Sequence, residues 1–240
     1  MNNCYSQTNS REILWRYAWV IIFAMAFAWV ESAVVVYLRE IFYEGFDIFP
    51  LSINWGEDGR YVGNYLTRIE LIREFATLVM LASTGLAAGR TGWQKFCFFM
   101  IAFGVWDIFY YVWLWVMIGW PEGLMTWDIL FLLPLPWVGP VITPVLIAAA
   151  MTAAGVLIIY LEKKGYTIKF YWYDWVIVMG CGFLMIVAFC WDWKNIVQLP
   201  GDPDRTGIPN RFLWGLYLPA YLVSVFYFFL RLKKSINKKD

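Results

Sequence analysis

The chain has 240 residues, with 19 Lys and Arg, 18 Asp and Glu, and no histidine. Hydrophobic residues make up 61% and charged residues 15%, where soluble domains hold about 45–50% and about 25%. A formal charge of +1 gives no basic field for nucleic acid. The lack of histidine excludes imidazole-ligated haem, copper and di-iron centres, H-E-x-x-H sites and every histidine-based triad or general base within this chain.

The apolar excess falls in runs. A helix needs roughly 20 mostly apolar residues to cross a hydrocarbon core of about 30 Å. Runs of that length predict spans at about 16–38, 67–88, 96–118, 140–161, 174–193 and 212–231. Barrel strands would read instead as alternating segments of about ten residues. The expected fold is therefore an all-α, polytopic transmembrane bundle of about six spans, forming a single integral membrane domain over residues 1–240.

Taken in chain order, the first run follows Arg11 and Arg16 and contains Ala-x-Ala triplets at 24–26 and 26–28. Its apolar residues continue through Val34, Val35, Val36 and Leu38. A signal peptide's apolar region spans only about 7–15 residues, so this one reads as a retained first helix. With six crossings, one side collects twelve basic residues: Arg11, Arg16, Arg90, Lys95, Lys163, Lys164, Lys169, Arg231, Lys233, Lys234, Lys238 and Lys239. The other side holds six: Arg39, Arg60, Arg68, Lys194, Arg205 and Arg211. The positive-inside rule then places both termini in the cytoplasm. The outer loops are acidic, with Glu40, Glu44, Asp47, Glu57 and Asp58 in the first and Asp202 and Asp204 in the last.

Pro134, Pro136, Pro140 and Pro144 interrupt the region before the fourth span. Proline removes a backbone donor and clashes with the preceding turn. Residues 127–139 are expected to form a broken or interfacial piece, so that prolines break the fourth span. Small residues at Gly85-Leu-Ala-Ala-Gly89 and from Ala148 to Gly155 suit close helix packing within the bundle, or a homodimer seam. Trp15, Trp19, Trp93, Trp120, Trp127, Trp172, Trp175, Trp191, Trp193 and Trp214 fall near span ends, where an interfacial aromatic belt accounts for them. Nine residues of helix hold Cys181 and Cys190 about 13 Å apart, too far for a disulfide.

The informative residues are ionisable groups in apolar surroundings. A charge at helix centre costs about 2.5–3.5 kcal/mol to insert and normally faces the bundle interior. Glu70, Arg73 and Glu74 share one face of the second span by i, i+3, i+4 spacing. Alternating topology puts Glu31 in the same outer half, with Asp107, Tyr110 and Tyr111 on the third span and Asp128 at the start of the proline-rich segment. These eight residues are the ligand- or ion-binding candidates. Their five carboxylates oppose Arg73, with Arg39 or Arg68 able to reach in, so a cation, protons or a cationic partner is needed for neutrality. An oxygen-only site would favour Mg²⁺, Ca²⁺ or Mn²⁺. The cluster reads equally as an ion-pair network that fixes the first three helices. No G-x-S-x-G, P-loop or G-x-G-x-x-G motif is present, so no catalytic residue is assigned and no cofactor is expected.

The segments Trp29–Arg39, Arg73–Leu81, Phe103–Tyr111 and Trp127–Pro140 resemble a group of bacterial multi-pass proteins. The resemblance covers about the first 160 residues. It implies the inner membrane and no particular activity. The functional expectation is a protein whose acidic outer-half cluster binds or transports a cation, protons or a small polar solute. The alternatives are a non-catalytic accessory or scaffold subunit of a membrane complex, and a carboxylate-based membrane enzyme acting on a lipid or isoprenoid. The bilayer is the expected partner, with a complex subunit or a second copy as further candidates.

Overall fold

The computed structural model describes residues 10–42, 62–133, 135–166, 168, 170–193, 209 and 211–236. Six helices dominate: α1 (Ser10–Phe42), α2 (Val62–Ala88), α3 (Gly92–Ile118), α4 (Ile142–Lys163), α5 (Trp172–Cys190) and α6 (Trp214–Ile236). All six are long and apolar enough to cross a membrane, which is the architecture of a multi-pass membrane protein. α1 runs without a break through both Ala-x-Ala triplets. Most of the acidic outer-loop residues, together with Arg60, Lys169, Lys194, Arg205 and Cys4, lie outside the described residues.

α3 is the central helix, packed by α1, α2 and α4. Its ends are set locally. Thr91 accepts the Gln94 N–H at 3.1 Å, and Gly119, at φ 70°, closes the helix by donating its N–H to Trp115 O. Small residues let the neighbours close in. A Cβ on Gly85 would come within 2.6 Å of Phe99 N, and one on Gly155 within 2.7 Å of Cys97 O. The small-residue stretches therefore pack α2 and α4 against α3. The buried core of Val20, Ala24, Ala28, Leu81, Phe98, Ile101, Ala102 and Ile158 joins these four helices.

The proline-rich segment corrects the expectation of a broken helix. Trp127–Phe131 (β1) and Trp137–Pro140 (β2) form an antiparallel hairpin, with Asp128 opposite Gly139 and Ile129 opposite Val138. α4 is then one continuous helix of 22 residues. Pro136 and Pro140 fall before it, and Pro144 sits in its first turn, where the missing N–H would have had no helical acceptor. Pro134 lies outside the described residues. Hairpin pairing solves the backbone problem that the prolines create for a helix. The pairing is prolonged by Val141 N–H to Thr126 O at 2.9 Å and Ile142 N–H to Leu124 O at 2.8 Å.

α5 and α6 pack on each other, with α5 also against β2 and, through Trp175, against Trp93 of α3. Trp137 stacks on Phe189 at 6.0 Å, and a Cβ on Gly139 would stand 3.0 Å from the Phe189 ring and 3.1 Å from the Phe212 ring, a tight fit. Tyr217 donates to Thr143 O at 2.6 Å and Tyr221 to Leu146 O at 3.2 Å. At the opposite end, buried Asp174 holds Arg231 at 2.9 Å, the Tyr171 N–H at 2.6 Å and the Tyr227 hydroxyl. Cys181 and Cys190 are free thiols.

Candidate functional site

The sequence offers eight candidates, Glu31, Glu70, Arg73, Glu74, Asp107 and Asp128 as ionisable groups in apolar runs, and Tyr110 and Tyr111 beside Asp107. All eight line one cavity of about 200 Å³. α1 brings Glu31 and Arg39, α2 brings Glu70, Arg73 and Glu74, and α3 brings Trp106, Asp107, Tyr110 and Tyr111. The hairpin supplies Asp128 and the following residues through Leu132. The cavity sits where α1 ends, α2 begins and the hairpin folds back on α3.

Arg73 organises the side nearer solvent. It pairs with Glu31 and with Glu70, reaching the latter through Nε at 2.9 Å. Thr77 donates to Glu31 at 3.3 Å. Glu74 points the other way and accepts the Leu132 N–H at 3.0 Å on both oxygens. The i, i+3, i+4 spacing thus delivers one shared face, but its two glutamates work in different directions.

The deeper side is built around Asp128, whose side chain is 1% exposed. Tyr111 donates to its Oδ2 at 3.0 Å, and Arg39 Nη2 stands 3.6 Å from its Oδ1. Arg39 is the second basic residue of the cavity, whereas Arg68 is exposed and does not line it. The Arg39 guanidinium lies 3.8 Å over the Trp120 ring, a cation–π arrangement. That corrects the assignment of Trp120 to an interfacial belt, because it is buried against Arg39 and Tyr111. Trp15, Trp19, Trp172 and Trp191 are exposed, as a belt requires.

Some buried polar atoms around this cavity have no hydrogen-bond partner. They are Asp107 Oδ2, the Trp106 indole N–H, both terminal nitrogens of Arg39, and Arg73 Nη1, the last ion-paired with Glu31. Buried polar groups are nearly always satisfied, so these atoms leave bonding capacity open to water or a solute. Among the described residues, no group of three or more Cys, Asp or Glu side chains is placed to hold a metal ion together. The carboxylates are spread around the wall instead.

Trp106 and Trp120 were missed from sequence as site residues. Trp106 carries a signal in its place one position before Asp107 and one turn before Tyr110. Trp120 reaches Arg39 only through the fold. No family model, no curated protein and no solved structure matches the chain.

Proposed function

We propose that this multi-pass membrane protein binds, and in doing so transports or senses, a cationic or small polar solute in the cavity between α1, α2, α3 and the hairpin. The observation that carries this reading is the charge imbalance at a buried site. Five carboxylates (Glu31, Glu70, Glu74, Asp107, Asp128) face two guanidiniums, Arg39 and Arg73. Ionised groups in a low-dielectric setting must be neutralised by partners, by protons or by a bound cation. Arg73 is taken by Glu31 and Glu70, and Asp107 has no side-chain partner for Oδ2. The protein belongs, in this reading, to a bacterial inner membrane, with both termini on the cytoplasmic side and the cavity in the outer half.

Thermal unfolding in mild detergent tests the proposal, with the unmodified chain compared against Glu70→Gln, Glu74→Gln and Asp107→Asn. Mono- and divalent cations, simple amines and small polar solutes are each added in turn. Stabilisation of the unmodified chain that disappears in Asp107→Asn is the expected result. Equal loss of stability in the variants under every condition, with no solute stabilising the unmodified chain, would make the cluster a scaffold that fixes α1, α2 and α3.

A further inference from the structure

The unpartnered atoms in the cavity are of two opposite kinds, and that says more about the ligand than the charge imbalance does. Arg39 is 2% exposed and presents both terminal nitrogens without a hydrogen-bond acceptor. Its 3.6 Å approach to Asp128 Oδ1 is an ion pair beyond hydrogen-bond length. The Trp106 indole, which lines the same cavity from α3, adds a third donor nitrogen without an acceptor. Asp107, 9% exposed, offers an acceptor without a donor. An ammonium or metal ion alone would satisfy Asp107 and leave three donors stranded. An anion alone would satisfy Arg39, leave Asp107 bare and enter a cavity that already holds excess carboxylate.

Resting on the binding reading above, we infer that the ligand is a zwitterion, a small polar solute whose primary ammonium donates to Asp107 and whose oxyanion, a few bonds away, accepts from Arg39. Being net neutral, it leaves the remaining carboxylate excess to protons. The two poles lie close together in the fold. Asp107 and Tyr111 are one turn apart on the same face of α3. Tyr111 donates to one oxygen of Asp128, and Arg39 faces the other. Asp128 therefore separates the two poles and keeps Arg39 in place without using up its five donors. The cavity of about 200 Å³ is far larger than one water requires and suits a compact solute. A free amino-acid-like molecule and the phosphoethanolamine headgroup of a lipid share this chemistry.

The test is a binding panel on the full chain in detergent, read as the rise in unfolding temperature with concentration. β-Alanine and O-phosphoethanolamine carry both poles, propylamine only the ammonium, and propionate only the oxyanion. Mixed micelles with phosphatidylethanolamine, or with phosphatidylcholine whose ammonium has no N–H, distinguish the two sources. A zwitterion should bind about tenfold or more tightly than either single-charge compound, the order of one charge-assisted hydrogen bond. Arg39→Lys, which keeps the charge but loses the planar fork, should erase that preference, and Asp107→Asn should abolish binding of zwitterion and amine alike. If only phosphatidylethanolamine stabilises, the zwitterion is a lipid headgroup and the inference stands. If propylamine or propionate binds as well as the zwitterions, the inference falls; propylamine binding would leave the cation-binding reading intact. If no zwitterion, amine, metal ion or lipid stabilises the unmodified chain, both readings fall together. The comparison among solutes needs no variant, so the outcome does not depend on how well the substituted proteins fold.

Discussion

Glu74, on α2, accepts the backbone N–H of Leu132 at 3.0 Å on both of its carboxylate oxygens. This bond joins a membrane-spanning helix to the end of β1 and satisfies an amide where the strand pairing becomes irregular. Removing the acceptor leaves a donor unmet, which costs about 1–3 kcal/mol. Glu74→Ala should lower stability by that amount in thermal unfolding, and Glu74→Gln, which keeps an amide oxygen as acceptor, should recover much of it. Equal effects of the two substitutions would mean that charge, not the hydrogen bond, holds the hairpin.

Arg39 and Asp128 are both almost fully buried, with side chains 3% and 1% exposed. Breaking a buried pair by removing one partner costs about 3–5 kcal/mol, whereas replacing both by apolar residues is often neutral. Arg39→Met and Asp128→Leu should therefore each destabilise strongly alone and far less together. A double-mutant cycle measures the difference. In the double variant, the zwitterion preference described above should be absent even where the fold is retained.

Glycines divide by position. A Cβ on Gly104 would run into Thr152 Oγ1 and the Ala148 carbonyl of α4, whereas one on Gly180 of α5 meets nothing within 4 Å. Gly104→Ala forces the α3–α4 backbones apart and should cost about 1–3 kcal/mol. Gly180→Ala should be neutral or stabilising by up to about 1 kcal/mol, because alanine is the better helix former. Unfolding temperatures of the two variants, measured side by side, check the contrast.

Asp174 ties the start of α5 to the last turns of α6 through Arg231 and Tyr227. Its side chain is wholly buried. Asp174→Ala should cost about 3 kcal/mol or more. The loosening should be local, since the α5 and α6 backbones pack mainly on each other. Hydrogen exchange should rise in α5 and α6 while α3 stays protected. A uniform rise would show that the two halves unfold as one unit.

The six helices were legible in the sequence because the bilayer demands a length and a composition, and Thr67–Ala88 and Phe96–Ile118 meet both. The structure extends α2 back to Val62 and α3 back to Gly92, the latter where the Thr91 cap, and no apolar character, starts the helix. The hairpin was not legible. Trp127–Pro140 carries the proline pattern of an interrupted helix and of a tight turn alike, and pairing across fourteen residues leaves no local period to read. Trp120 failed for a related reason: tryptophan near a span end fits lipid headgroups and a buried cation equally well.

By itself, the sequence determined that the chain crosses a membrane and that Glu31, Glu70, Arg73, Glu74, Asp107 and Asp128 are the charges to explain. Both follow from one-dimensional facts, since burying a charge in hydrocarbon is costly wherever it occurs. Only the tertiary structure decided which of these charges cancel. Arg73 turns to Glu31 and Glu70, Glu74 to a backbone amide, and Arg39 to Asp128, leaving Asp107 without a donor. Partner choice depends on how α1, α2 and the hairpin converge on α3, and a hydrogen bond made over 3 Å leaves no trace in residues 46 or 58 positions apart.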